Sequence, residues 1–287
     1  MAQIWTQIGT IDPKDLAEAR LQAHNAAQWL TRAARANLAP QPDDSHTNLG
    51  WDDQLGALQS RNLDASDAGP FRFGLRIAPL TLLVMQGDTI LDALALDGKR
   101  DAEAGAWIDQ HAAASDLRAP SSAILPYVVP NHPVAAAGRY SDTSREAEFA
   151  ELARWIAAAD DVLQETKTKL AQAGTGSSPV RCWPHHFDLA TLLSLKTGNA
   201  ETATSIGIGM SPGDDYYAQP YFYVSPWPRP AVNTLPDPPS PGHWHTKDFV
   251  AAVVTGDALL ACKDRRAAAR DFIDAAIAAS RRLLGAS

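Results

Sequence analysis

Residues 71–96 read Phe-Arg-Phe-Gly-Leu-Arg-Ile-Ala-Pro-Leu-Thr-Leu-Leu-Val-Met-Gln-Gly-Asp-Thr-Ile-Leu-Asp-Ala-Leu-Ala-Leu. The opening alternates. Phe71, Phe73, Leu75 and Ile77 fall on one side, and Arg72, Gly74 and Arg76 on the other, which predicts a strand over 71–78. A second apolar run follows at 80–86, and Gly87-Asp88 separates it from a third at 89–96. A Gly-Asp pair between two such runs predicts a hairpin turn, so these strands pair antiparallel.

Helices are predicted on both sides of this block. Asp12-Pro13 is an N-cap followed by proline at the first helical position, and Leu16, Ala23, Ala27 and Leu30 then form one stripe until Pro40. Phe149, Leu152, Ala153, Ile156, Leu163 and Leu170 recur at helical spacing over 143–172. A third long helix is predicted over 264–284, with Phe272, Ile273, Ile277 and Leu284 inward, and a shorter one over 101–114. Further strand candidates are 123–129, 180–193, 203–210, 218–227 and 249–256. Hairpin-linked strands flanked by long helices predict an α+β fold with an antiparallel or mixed sheet. No fixed-period repeat interrupts this pattern, and a single compact domain over 1–287 is expected.

Residues 219–242 hold eight of the twenty prolines, a density that argues against helix or central sheet. Aromatic residues crowd the same region, from Tyr216 to Trp244, which linkers seldom carry. The expectation is an ordered loop, 216–245, packed on the body as the rim of a site.

Composition narrows the function classes. With 25 basic against 33 acidic residues, the formal net charge is −8, which argues against a nucleic-acid binder, since that would need a basic face. No apolar run reaches the roughly 20 residues of a membrane span, and residues 1–15 show no secretory pattern. Two cysteines, Cys182 and Cys262, make no disulfide framework, which fits a cytoplasmic protein. Neither a nucleophile elbow nor a P-loop is present.

Four stretches carry candidate chemistry. In Cys182-Trp-Pro-His-His-Phe-Asp188, an extended chain puts His186 and Asp188 on one face, as two metal ligands, as a histidine base near its carboxylate, or as a buried polar pair. His243 and His245 flank Trp244, and two imidazoles on one strand face converge on a single zinc-like ion, unless the segment is a solvated loop. His186, Asp188, His243 and His245 thus form a candidate ligand set for a divalent metal. In Ser205-Ile-Gly-Ile-Gly-Met-Ser-Pro-Gly213, Gly207 and Gly209 leave one strand face bare for close approach by a ligand. Asp214 and Asp215 follow, as metal ligands, as general bases or as residues that merely favour the turn. His46, in the polar loop 42–53, is a further ligand-binding candidate.

The three motifs Phe187-Asp-Leu-Ala190, Gly209-Met-Ser-Pro-Gly213 and Pro220-Tyr-Phe-Tyr-Val-Ser-Pro-Trp-Pro228, in this order, resemble a bacterial family of unassigned activity. The resemblance implies a soluble, stand-alone protein and assigns no catalytic residue. The reading that emerges is a small-molecule hydrolase with a His/Asp metal or acid–base site. Its alternative is a non-catalytic protein that binds a small ligand between Tyr217, Tyr221, Tyr223, Trp227 and Trp244.

Overall fold

A computed structural model describes residues 2–66, 69–198 and 203–286. In chain order the main elements are α1 (Ala2–Gln7), α2 (Ala17–Asn37), β1 (Gly50–Asp52), β2 (Ala57–Gln59), β3 (Asp64–Ser66), β4 (Gly69–Arg76), β5 (Thr81–Gln86) and β6 (Thr89–Ala95). They continue with α3 (Asp101–Ala114), α4 (Glu146–Gln172), β7 (Arg181–Trp183), β8 (Asp188–Lys196), β9 (Thr204–Ser211), β10 (Tyr221–Trp227), β11 (His243–His245), β12 (Ala251–Thr255), α5 (Gly256–Leu260) and α6 (Arg265–Leu283). The fold is α+β, and the paired strands run antiparallel. The chain forms two compact units. Unit I comprises Met1–Asp15, Arg154–Val180 and Asp188–Ser287; unit II comprises Leu16–Ala153 and Arg181–Phe187.

In unit II the strands run in the order β1-β2-β4-β5-β6, with β3 also on β4. Phe73 sits opposite Val84 and Leu75 opposite Leu82, and Phe71, Phe73, Leu75 and Ile77 are all buried, as their alternation requires. Every residue from Thr81 to Met85 is buried, which is why β5 reads as a continuous apolar run. Helices α2 and α3 approach closely because Gly105 leaves room for the Trp29 indole, and a Cβ there would lie 2.4 Å from the ring. The Trp29 indole N–H and the Tyr140 hydroxyl both donate to Asp101 Oδ1, at 2.8 and 2.7 Å.

In unit I the order is β11-β12-β10-β9-β8. Phe222 and Val224 of β10 and Ile206, Ile208 and Met210 of β9 are buried, as are Phe272 and Ile273 of α6, the helix in contact with these strands. Trp5 stacks on Phe222 with ring centroids 6.2 Å apart. Asp161 of α4 fixes this layer: its Oδ2 accepts from the Trp5 indole at 2.9 Å and from Arg266 Nε at 2.7 Å. Asp264 caps α6 by accepting from the Ala267 N–H at 2.9 Å.

Three expectations are corrected. Residues 123–129 form no strand: Pro126 and the following Pro130 remove ladder donors, and Ile124 and Val128 stand exposed. The run 180–193 is not one strand. It stops at Trp183, turns through 184–187 with Phe187 at φ 57°, and resumes at Asp188. The Phe187 N–H donates to the Trp183 carbonyl at 2.7 Å, closing that turn. The third concerns the proline-rich region: the strand candidate 218–227 forms as 221–227, but as a central strand paired with β9 on one side and β12 on the other, where proline density predicts a loop. Only Pro226 lies within it, and the ladder to β12 ends two residues earlier at Val224, so the missing donor costs that flank nothing.

Candidate functional site: the tyrosine face of unit I

Strand alternation gives β10 two unlike faces. Phe222 and Val224 take the buried side, and Tyr221 and Tyr223 the other, where they meet Ala251 and Val253 of β12 together with Tyr217 and Phe249. Cross-strand register adds the remaining groups to the tyrosine face. Tyr223 is opposite Gly209 and Val253, and Val253 is opposite His243; Tyr221 is opposite Ser211. The Tyr223 ring crosses Gly209, where a Cβ would sit 2.6 Å from its hydroxyl oxygen. Glycine is therefore what lets a tyrosine lie flat across the sheet. At Gly207 a Cβ would meet only the Ser225 carbonyl, at 3.9 Å, so that part of the face is bare.

Each tyrosine hydroxyl on this face is committed to a charged or basic partner. Tyr223 donates to Asp188 Oδ2, and Tyr221 donates to Asp214 Oδ2 at 2.5 Å. Burial and the adjacent carboxylates push both phenols above their ordinary value, so both stay neutral donors. Asp214 Oδ1 also accepts from the backbone N–H groups of Tyr216 and Tyr217, at 2.8 and 3.0 Å. Three hydrogen bonds make Asp214 the organiser of the turn that delivers Tyr217 to the site. Asp215, its neighbour, is exposed.

Tyr217 lies between the two imidazoles of β11. Its hydroxyl oxygen is 2.8 Å from His243 Nε2 and 2.9 Å from His245 Nδ1. The other nitrogen of His245, Nε2, is 2.6 Å from the Lys247 carbonyl. A carbonyl only accepts, so His245 Nε2 carries a hydrogen; with the ring neutral, Nδ1 is a lone pair. Tyr217 must then donate to His245 Nδ1, and its oxygen accepts from His243 Nε2–H. The remaining nitrogen of His243, Nδ1, is the basic one. His243 is exposed while His245 is buried. Burial of part of the ring, and then the neighbouring His245, hold His243 below the usual histidine value, so it is neutral and basic near pH 7. Burial and Asp214 raise the Tyr217 phenol.

The rings form a continuous array. Centroids lie 6.2 Å apart for Tyr223 and Tyr221, 4.7 Å for Tyr221 and Tyr217, and 5.6 Å for Tyr217 and His245. His245 stacks on Phe249 at 4.1 Å, with Tyr216 edge-on at 5.0 Å.

Of the residues singled out from sequence, Asp188, Gly209, Asp214, Tyr217, Tyr221, Tyr223, His243 and His245 thus meet on one sheet face. Trp227 shares the strand parity but stands at the far end of β10, exposed. Trp244 takes the opposite side of β11, and its indole N–H donates to the Pro236 carbonyl at 2.8 Å. His46 and His186 belong to unit II. His46 is buried, and its Nδ1 accepts from the Gln41 N–H at 3.2 Å, a loop-fixing contact. His186 is exposed, with its ring 4.2 Å from that of His185. The turn at 184–187 removes the shared strand face that paired His186 with Asp188. Among the described residues, no group of three or more His, Cys, Asp or Glu side chains could hold a metal ion. Tyr216, Lys247 and Phe249 escaped sequence reasoning. Tyr216 belongs to the aromatic run, but the role of Lys247 is played by its backbone carbonyl, which no residue type announces.

Other features of the molecule lie apart from these residues. A cleft of about 470 Å³ is lined by Thr166, Lys169, Leu170, Asp274, Ile277 and Arg281 of α4 and α6, among others, and shares no residue with the tyrosine face. Among the described residues no helix is long and apolar enough to cross a membrane. Comparison with protein-family models, with curated proteins and with solved structures finds no match for this chain.

Proposed function

We propose that the protein is a small-molecule hydrolase in which His243 Nδ1 is the general base and the tyrosine rings hold the substrate. The observation that carries the reading is the chain His243–Tyr217–His245–Lys247 carbonyl, which fixes the tautomer of a solvent-reachable imidazole. A general base needs an orienting partner and a basic nitrogen near the working pH, and His243 has both. Its Nδ1 would take a proton from water as the water oxygen attacks an electrophilic carbon. The base role falls to His243 because the carboxylate of Asp214 is spent on Tyr221 and two backbone N–H groups.

The non-catalytic reading keeps the same surface. Tyr217, Tyr221 and Tyr223 offer adjoining rings suited to an apolar or aromatic ligand without any bond being broken. Hydrolysis of p-nitrophenyl acetate separates the two. A base contributes about 10²-fold or more, so His243→Gln should lower kcat/KM by that factor and leave KM near the wild-type value. Wild-type turnover equal to buffer, or an unchanged rate in His243→Gln, overturns the hydrolase and leaves the binding protein.

A further inference from the structure

We propose that His243, Tyr217 and His245 act as one proton relay, in which a proton taken up at the exposed His243 comes to rest on the buried His245. The proposal rests on the reading of His243 as base and adds two positioning residues to it, Tyr217 and His245.

The hydrogen-bond directions set the path. Before reaction His243 Nε2–H donates to the Tyr217 oxygen, and the Tyr217 O–H donates to His245 Nδ1. When His243 Nδ1 gains a proton, Nε2–H can pass its hydrogen to the Tyr217 oxygen while Tyr217 passes its own to His245 Nδ1. One proton enters and each hydrogen moves one place. His243 ends neutral with its hydrogen on Nδ1, Tyr217 remains a neutral phenol, and His245 becomes an imidazolium. No heavy atom needs to travel, because both gaps are already hydrogen bonds of 2.8 and 2.9 Å.

The contacts of His245 offset the cost that burial sets on its charge. Both of its N–H groups then have acceptors, the Tyr217 oxygen and the Lys247 carbonyl at 2.6 Å. Phe249 lies almost parallel beneath the ring, at 4.1 Å and 24°, and Tyr216 meets it edge-on. A cation over such an electron-rich face is attracted to it, most of all where water is excluded. The titratable and charged groups packed around the pair are Tyr217, Tyr221 and Asp214 from the turn and β10, Tyr216 beside them, and Lys247 and Asp248 from the loop after β11. Tyr216 donates to Asp248 Oδ2 at 3.0 Å, and the Lys247 ammonium lies 6.0 Å above the Tyr216 ring. Arg229 donates to the Thr246 and Asp248 carbonyls, both at 2.9 Å, and fixes that loop.

The test is nitrogen NMR of the imidazoles across a pH titration of the intact wild-type protein, Tyr217→Phe and Phe249→Leu. In the wild type, His245 Nδ1 should change from unprotonated to protonated at the same midpoint at which His243 responds. In Tyr217→Phe, His243 should titrate alone and lose its fixed Nε2–H tautomer, with the amide spectrum confirming an intact fold. Phe249→Leu, which removes the stacked ring, should return the proton to His243. The relay is overturned if His245 keeps its neutral nitrogen shifts in the wild type while His243 titrates. This outcome is distinct from failure of the hydrolase reading. A coupled titration without p-nitrophenyl acetate turnover sinks only the hydrolase, and His243-dependent turnover with an inert His245 sinks only the relay.

Discussion

The two faces of β10 make one strand behave as two materials. Phe222 and Val224 point into a layer with Trp5, Phe272 and Ile273, where nothing but packing is asked of them. One residue either side, Tyr221 and Tyr223 carry hydroxyls to carboxylates across a glycine-floored surface. Both faces bury aromatic area. Only the second also orients hydroxyl donors, Tyr223 toward Asp188 and Tyr221 toward Asp214.

The largest effect expected is on the packed face. Phe222→Ala removes a fully buried ring and should cost about 3–5 kcal/mol of unfolding free energy in urea denaturation. Spectroscopic features of the tyrosine face should melt at the same, lowered midpoint if unit I unfolds as one body. A loss below about 1 kcal/mol would mean that the ring is not the keystone its burial implies.

The site face is probed next by Gly209→Ala. The new Cβ would lie 2.6–2.8 Å from Tyr223 and from the Leu189 carbonyl, and backbone cannot step aside as a side chain can. Overpacking of this kind costs about 1–3 kcal/mol, and it should drive Tyr223 off Asp188. The paired control, Gly207→Ala, meets nothing closer than 3.9 Å and should change stability by well under 1 kcal/mol. Equal costs at the two glycines would refute the claim that Tyr223 needs its flat path.

How far these faces were legible in the sequence follows from what each depends on. Period-two alternation separates Ile206, Ile208 and Met210 from Gly207 and Gly209, and His243 and His245 from Trp244, because side-chain parity is local. The meeting of 188, 209, 223 and 243 depends on which strands are neighbours, which no local pattern encodes. The central position of 221–227 was hidden by proline density, since the seven prolines outside this strand belong to the neighbouring segments. Extending one alternation through the turn at 184–187 puts His186 on the wrong face. Phe187 adopts φ 57°, a left-handed value that a bulky residue seldom takes and that neither glycine nor asparagine flagged.

A pH test distinguishes the faces without disturbing packing. An unfolded tyrosine ionises near its ordinary value of 10.0, whereas burial and Asp188 hold the folded Tyr223 well above it, and burial and Asp214 do the same for Tyr221. The folded values are raised, so the stability these hydroxyls contribute is whole below pH 10 and is lost as pH rises beyond it. Urea midpoints of the wild type should therefore fall as the pH rises above about 10, and more gently in Tyr221→Phe and Tyr223→Phe. Identical alkaline slopes in all three proteins would show that neither phenol is held by its carboxylate.

Tyr217→Phe should have a small effect on stability and a marked one on p-nitrophenyl acetate turnover. It deletes one hydroxyl from a partly buried ring and leaves the aromatic array in place, so the net loss should be about 0.5–1.5 kcal/mol. What changes is direction. Without the hydroxyl, His243 has no acceptor for its Nε2–H, both tautomers become populated, and the fraction with a basic Nδ1 falls. The rate of p-nitrophenyl acetate hydrolysis should then drop by more than the stability change explains, while Tyr221→Phe, which costs comparable stability, should leave the His243 tautomer intact. A strand face that only packed would show the reverse, with rate following stability in both variants.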